Sequence, residues 1–245
     1  MNASLKELDG QRALVTGSTS GIGQATALAL ARLGATVIVT GRDAGRGTRV
    51  VKEIEGDGGS ARFVAADLSD PGQVTRLVQA AGDVDILVNN AGRSWFGPTA
   101  DLDASAFDAL FSANVRSAYL LTAAIAPAMA ARGRGSIISL DSMAGAVGLA
   151  GGAAYGASKA SLSALTRAWA AEFSPAGVRV NAVAPGPVYT GGAAPERIDA
   201  LGATTLLGRA AQPEEIADVI AFLSTPRAQY VTGATIPVDG GRAAV

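Results

Sequence analysis

Tyr155 and Lys159 stand four residues apart in the segment Tyr155–Phe173, whose apolar residues Leu162, Leu165, Trp169 and Phe173 recur at helical spacing. On a helix, positions i and i+4 share one face. A phenol, with a free pKa of ~10, is a poor base near neutral pH. A neighbouring ammonium favours the phenolate and lowers that value. The pair is therefore a candidate proton donor and acceptor; the plainer alternative is a surface pair on a helix. Counting residue types weighs against that alternative. The chain has no His and no Cys, which excludes imidazole and thiolate catalysis, disulfides and His- or Cys-ligated zinc. Any general acid or base must be Asp, Glu, Lys or Tyr. No metal site is expected.

Ser142 follows the strand-length run Ser136–Leu140 and precedes a Gly-rich stretch. Its hydroxyl can hold an oxygen beside Tyr155; a turn serine is the alternative. Asn114 lies inside a long helix-period segment, where Asn is a mediocre former. Asp141 precedes Ser142, and successive strand residues face opposite ways. Asp141 is thus expected to point away from whatever Ser142 faces and to cap neighbouring backbone N–H groups. Its alternative is a charge that shapes the site or reads a cationic substrate.

Residues 16–23 read Thr-Gly-Ser-Thr-Ser-Gly-Ile-Gly, directly after a short apolar run and at the start of a helical segment. Glycines at 17, 21 and 23 allow a sharp turn and close approach to a pyrophosphate, with free N–H groups at the helix start. Counting ~20 residues on reaches the position that selects between NAD and NADP. Gly41 stands there in place of an acid, and Arg42 follows. This favours NADP(H), with NAD(H) as the alternative. Asp43 could reach a ribose, but the stronger expectation is that it caps the next helix. Arg42 as a solvated charge is the competing reading.

These residues must be positioned by alternating elements. Strand-length runs are Ala13–Val15, Thr36–Thr40, Arg62–Ala65, Ile86–Val88, Ser136–Leu140, Arg179–Val183 and Thr235–Val238. Helical segments are Gly23–Leu33, Asp43–Glu55, Pro71–Ala81, Ala104–Arg132, Tyr155–Phe173 and Pro213–Leu223. Alternation implies an α/β fold, a parallel sheet with helices on both faces. No linker or repeat is visible, so residues 1–245 read as one domain. The stretch 186–212 lacks a clear period and reads as a mobile loop with one short helix, of the kind that covers a ligand.

Composition narrows the partners. The chain has 245 residues, 49% hydrophobic and 17% charged, with net charge −1 and no basic stripe, so nucleic acid is not expected. The apolar run Ala118–Ala131 is shorter than the ~20 residues of a membrane span. Met1–Gln11 has no apolar core and does not read as a signal peptide. A soluble cytoplasmic protein is the expectation.

Taken in order, Thr16-Gly17-x-x-x-Gly21-x-Gly23, Asn89-Asn90-Ala91-Gly92, Asn114, Ser142, Tyr155-x-x-x-Lys159 and Pro185-Gly186 resemble the short-chain dehydrogenase/reductase family. The resemblance runs from about Leu8 to Gly241 and matches its short single-domain branch. It implies a Rossmann-type doubly wound parallel sheet of about seven strands. It implies hydride transfer between a nicotinamide and a carbonyl or secondary alcohol, with Asn114, Ser142, Tyr155 and Lys159 as catalytic tetrad. In that family the asparagine kinks its helix and helps hold a water that relays protons to the lysine. The resemblance places Gly17, Ser18, Ser20, Gly21, Ile22 and Gly23 along the dinucleotide, and Asp67 and Leu68 by the adenine. Asn89, Ala91 and Gly92 fall along the adenosine ribose and the site floor. Pro185, Gly186, Val188 and Thr190 fall at the nicotinamide end, with Tyr155 and with Lys159 on the ribose hydroxyls.

Two positions depart from the family. Asp141 replaces the first of two serines often found there. Ser20 replaces an arginine often carried by carrier-protein-dependent ketoacyl reductases, which weakens that assignment. A small-molecule substrate is expected among Arg93, Trp95, Phe96, Met143, Val147, Leu149 and Tyr189. Assembly as a homotetramer, or failing that a dimer, is implied. The alternatives are a catalytically silent nucleotide-binding regulator or scaffold, disfavoured by the complete tetrad, and a dehydratase or epimerase on the same fold.

Overall fold

Short runs of Val, Ile, Leu and Ala, buried on both faces, are what a parallel sheet covered by helices requires. A computed structural model describes residues 6–244, so the reading of Met1–Gln11 lies partly outside the described residues. Seven such runs form strands: β1 Arg12–Val15, β2 Thr36–Gly41, β3 Ser60–Ala65, β4 Ile86–Asn89, β5 Gly135–Leu140, β6 Val178–Pro185 and β7 Thr235–Val238. They make one sheet in the order β3-β2-β1-β4-β5-β6-β7. Every neighbouring pair is parallel. From β1 the chain proceeds outward in one direction and from β4 in the other. The crevice at the carboxyl ends of β1 and β4 is the topological switch point.

The helices are α1 Gly21–Arg32, α2 Ala44–Gly56, α3 Pro71–Ala81, α4 Ala104–Phe111, α5 Ser117–Ala131, α6 Ala153–Phe173, α7 Pro195–Gly202 and α8 Pro213–Ser224. Side-chain alternation splits the core in two. Ala13, Val15, Val37 and Val39 pack with Leu30 of α1, Val50 of α2 and Ile216 of α8. Leu14, Ile38, Leu87 and Ile137 pack with Leu77 of α3, Ile125 of α5 and Trp169 of α6. Helix starts are capped: Asp43 Oδ1 accepts from the Arg46 N–H at 2.9 Å, and Asp70 Oδ1 from the Gly72 N–H at 2.8 Å.

Three differences from the sequence expectations bear on the site. β2 runs one residue further, through Gly41. α6 begins at Ala153, which puts Tyr155 inside the first turn rather than at its start. The long helical segment is interrupted by a π turn, Ser112–Arg116, in which the Ser117 N–H reaches back to the Ser112 carbonyl. With that turn included, the helix runs 28 residues, Ala104–Ala131, and by length and composition could cross a membrane. Leu121, Ile125 and Met129 from it are, however, buried in the sheet's core.

The stretch 186–212 contains one short helix, α7. Its base is closed by backbone bonds: Tyr189 N–H to Ala211 O at 3.1 Å and Ala211 N–H to Pro187 O at 2.9 Å. Residues 190–210 therefore form a flap with both ends pinned together.

Candidate active site

At the switch point, Thr16 Oγ1 accepts from the N–H groups of Asn90 and Ala91, both at 2.9 Å, and donates to the Val88 carbonyl at 3.1 Å. One hydroxyl thus joins the ends of β1 and β4. Asn90 Nδ2 donates to the carbonyl of Thr16 at 2.7 Å and of Gly17 at 3.3 Å. The chain then turns with φ +63° at Gly17, a backbone that glycine adopts without a Cβ penalty. A side chain at Gly23 would run into the Gly17 carbonyl and the Asn90 amide. The glycine spacing is therefore dictated by packing. The result is a cradle at the α1 N-terminus that fits a pyrophosphate. Ser20 caps α1 with its hydroxyl unbonded there, and Ile22 lies buried below. Across the cleft Thr190 packs on Gly21, where an added Cβ would stand 3.1 Å from the threonine Cβ.

Ser18 follows in the same turn. Its hydroxyl donates to Val15 O at 2.6 Å and accepts from the Thr40 N–H at 2.9 Å, while its own N–H goes to Thr40 O at 3.1 Å. It ties β1 to β2 through its side chain. Asn89 Nδ2 donates to Thr122 Oγ1 of α5 at 3.2 Å, while its Oδ1 is buried without a hydrogen-bond partner. Asn90, its neighbour in the same motif, faces the glycine turn instead. Thr16 and Asn90 stand inside the sequence motifs, and it is their side chains that build the turn. Thr19 had no sequence signal. It packs so close to Gly41 that a Cβ there would meet Thr19 Cγ2 at 2.8 Å.

At the adenosine end, Gly41 therefore presents no side chain and Arg42 is exposed. Asp43 is committed to Arg46, accepting from its N–H and from its Nε at 3.1 Å. Asp67 Oδ1 accepts from the Ser69 N–H at 3.0 Å and hydroxyl at 2.8 Å. Those bonds hold its carboxyl below the usual carboxylate range, with the Arg42 charge adding to the effect. Leu68, partly buried, packs against the core beside it.

Tyr155, Lys159, Ser142 and Asn114 converge at the ends of β4 and β5. Ser142 is extended, and its Oγ accepts from the Ala144 N–H at 3.2 Å. Lys159 is buried and its Nζ donates to the Leu140 carbonyl at 2.6 Å. That Nζ stands 5.9 Å from the Tyr155 ring centroid. Asn114, in the π turn, accepts at Oδ1 from the Arg93 N–H at 2.8 Å. Its Nδ2 donates to Arg93 O and to Ser158 Oγ, both at 2.9 Å. Ser158 in turn donates to the Tyr155 carbonyl at 2.7 Å. The floor needs Gly92, since a Cβ there would lie 3.0 Å from Asn114 Oδ1.

The electrostatics differ from what the i, i+4 spacing suggests. Burial pushes the Tyr155 phenol up; Ser142 opposes this and the Asp141 charge adds to it. Lys159 is itself the tuned group: burial lowers it to about 8, and Asp141 opposes that shift.

The mouth combines apolar and charged walls. The Phe96 ring lies 5.3 Å from that of Tyr155. The Arg197 guanidinium of α7 sits 5.6 Å from the Phe96 centroid, so the flap approaches the phenol through one aromatic ring. Tyr189 uses its hydroxyl on Asp199 of α7. The Gly97 N–H donates to Gly151 O at 3.0 Å, joining the loop of Trp95 and Phe96 to that of Met143, Val147 and Leu149. Pro185 ends β6, and a Cβ at Gly186 would stand 2.8 Å from Asp239 Cα. Val188 is buried and bridges to Ala211 at the flap base.

Residues 17–243 match the family model described as "Enoyl-(Acyl carrier protein) reductase". The chain is 38% identical over 237 residues to a cyclopentanol dehydrogenase of Comamonas sp. (strain NCIMB 9872), covering 93% of this chain and 95% of the relative. It is 37% identical over 241 residues to a 3-oxoacyl-[acyl-carrier-protein] reductase of Thermotoga maritima, covering 96% and 98%. Among solved structures, a short chain dehydrogenase/reductase family protein is 51% identical with TM-score 0.91, covering 98% of this chain and 100% of that one. A 7α-hydroxysteroid dehydrogenase complexed with NADH and 7-oxo glycochenodeoxycholic acid is 34% identical with TM-score 0.92, covering 98% and 97%. With the glycine turn at the switch point and the four polar residues beside it, the chain belongs to the short-chain dehydrogenase/reductase family of NAD(P)(H)-dependent oxidoreductases.

Proposed function

We propose that this enzyme interconverts a ketone and a secondary alcohol with Tyr155 as the acid/base and NADP(H) as the preferred cofactor. The observation that carries the reading is the convergence of Ser142, Tyr155 and buried Lys159 one strand away from a glycine cradle at the switch point.

The cradle fits a dinucleotide: Gly17, Gly21 and Gly23 leave the backbone open to a pyrophosphate, and Thr190 closes from the flap. When bound, the nicotinamide supplies or accepts the hydride. The chain handles the rest. Ser142 and the Tyr155 phenol face one another at the site floor and together hold the substrate oxygen. Tyr155 gives that oxygen its proton in reduction and removes it in oxidation. The ammonium of Lys159, near neutral pH, hydrogen-bonds ribose hydroxyls and favours the phenolate as the proton leaves. Asn114 fixes the Arg93 loop and, through Ser158, the first turn of α6.

The preference for NADP(H) is supported by an exposed Arg42, a side-chain-free Gly41 and an Asp43 already bound to Arg46. Assembly as a homotetramer or dimer is supported by the exposed Phe107 of α4 and Tyr119 of α5, the latter 6.2 Å from the Trp169 ring of α6. Oxidation of NADPH and NADH across a panel of ketones, aldehydes, quinones and imines tests the reading. Turnover left intact by Tyr155→Phe removes the mechanism, and equal use of both cofactors removes the preference.

A further inference from the structure

Asp141 is a carboxylate buried at the end of β5 with no Lys or Arg nitrogen within salt-bridge distance among the described residues. A buried carboxylate normally requires compensation. Its Oδ1 accepts from the Ser142 N–H at 2.8 Å. Its Oδ2 is bonded by the Ser163 hydroxyl of α6, which lies 3.0 Å from Thr235 Oγ1 of β7. Both oxygens act as acceptors, the arrangement an ionised carboxylate uses; burial pushes the carboxyl up, and the Ser163 and Ser142 bonds and the Lys159 charge oppose that shift. The turn above it needs Gly145. A Cβ at that position would stand 2.9 Å from Asp141 Oδ1 and 3.1 Å from the carbonyl carbon of Lys159. Gly145 thus lies between the carboxylate and the backbone of α6 at the catalytic lysine.

We propose that Asp141 is a positioning residue, ionised in the working enzyme, that fixes the Ser142 backbone and serves as the through-space counter-ion keeping the proton on buried Lys159. The proposal rests on the Tyr155–Lys159 reading of the site. From α6 the charged and titratable groups facing Asp141 are Tyr155, Lys159 and Arg167. From the segment after β7 the group is Asp239, on the same cavity of about 380 Å³; the turn Met143–Gly145 contributes none. Two buried opposite charges stabilise each other even without contact, since the surrounding protein screens them less than water does. The same negative charge disfavours phenolate at Tyr155, so removing it should make both groups lose their protons at lower pH.

The test uses the direct titration of a side chain. The chain has three lysines, Lys6, Lys52 and Lys159, so lysine-selective 15N labelling resolves them by NMR, and Lys159→Met identifies the Lys159 signal. In Asp141→Asn the Lys159 midpoint is expected to fall by about one pH unit, the size of a through-space charge effect at this range. Lys52 should not move. The acidic limb of secondary-alcohol oxidation should shift to lower pH in parallel. If Asp141→Asn does not fold, Asp141→Ser serves the same measurement. A Lys159 midpoint that stays put, or rises, in a folded variant overturns the proposal. A lysine that shifts in a protein that oxidises no alcohol leaves the counter-ion role standing and removes the oxidoreductase mechanism instead.

Discussion

Lys159 Nζ donates to the carbonyl oxygen of Leu140 at 2.6 Å, so the buried cation of α6 is tethered to the end of β5. The tether fixes the lysine beside the Tyr155 ring, and burial rather than the tether lowers its pKa, since a carbonyl acceptor favours the charged form. Burial lowers the lysine from 10.5 to about 8.

That shift makes stability depend on pH. The folded pKa lies below the unfolded one, so between about 8 and 10.5 the unfolded chain binds more protons at this site. The cost of burying the cation is fully present below 8 and is relieved as pH rises through that window. The span corresponds to on the order of 3 kcal/mol. Urea unfolding of wild type and Lys159→Met at several pH values should therefore show wild type gaining on the variant as pH rises from 8 to 10.5. Parallel curves would contradict the burial argument.

Replacing Tyr155 by Phe keeps the ring that packs on Phe96 and removes only the hydroxyl. We expect kcat to fall by about 10²–10⁴, the usual contribution of a positioned acid/base. Cofactor binding, followed by quenching of tryptophan fluorescence, should be retained. Loss of binding along with rate would point to a structural role.

Arg42→Ala should weaken NADPH by about 10- to 100-fold, as expected for a lost charge-assisted contact, and leave NADH nearly unchanged. Paired affinity measurements by calorimetry decide it. Equal effects on both cofactors would place Arg42 away from the 2′-phosphate.

Thr16→Val keeps the shape at the switch point but leaves the N–H groups of Asn90 and Ala91 without their shared acceptor. A destabilisation of about 1–3 kcal/mol is expected from unpaired buried donors. The cofactor KM should rise with it, because the same bonds set the glycine turn. Unchanged thermal unfolding would show that solvent replaces the hydroxyl.

The parallel α/β sheet, the glycine turn opening α1 and the shared face of Tyr155 and Lys159 are legible in the residues alone. Each follows from local periodicity or spacing, which a chain carries without knowing its partners. The sequence also indicates that Asp43 caps α2, because a cap bonds residues three apart. Long-range packing sets the π turn at Asn114, the bond of Asn89 to α5, the bonds of Asn90 to the glycine turn and the use of Ser18 between strands. Those outcomes depend on what stands opposite across β1, β4 and α5, contacts made by residues 22 to 75 positions apart. The same holds for charge. Spacing places the Tyr155–Lys159 pair on one face, but burial lowers the lysine to about 8 and raises the phenol, and the neighbouring Asp141 charge acts on both.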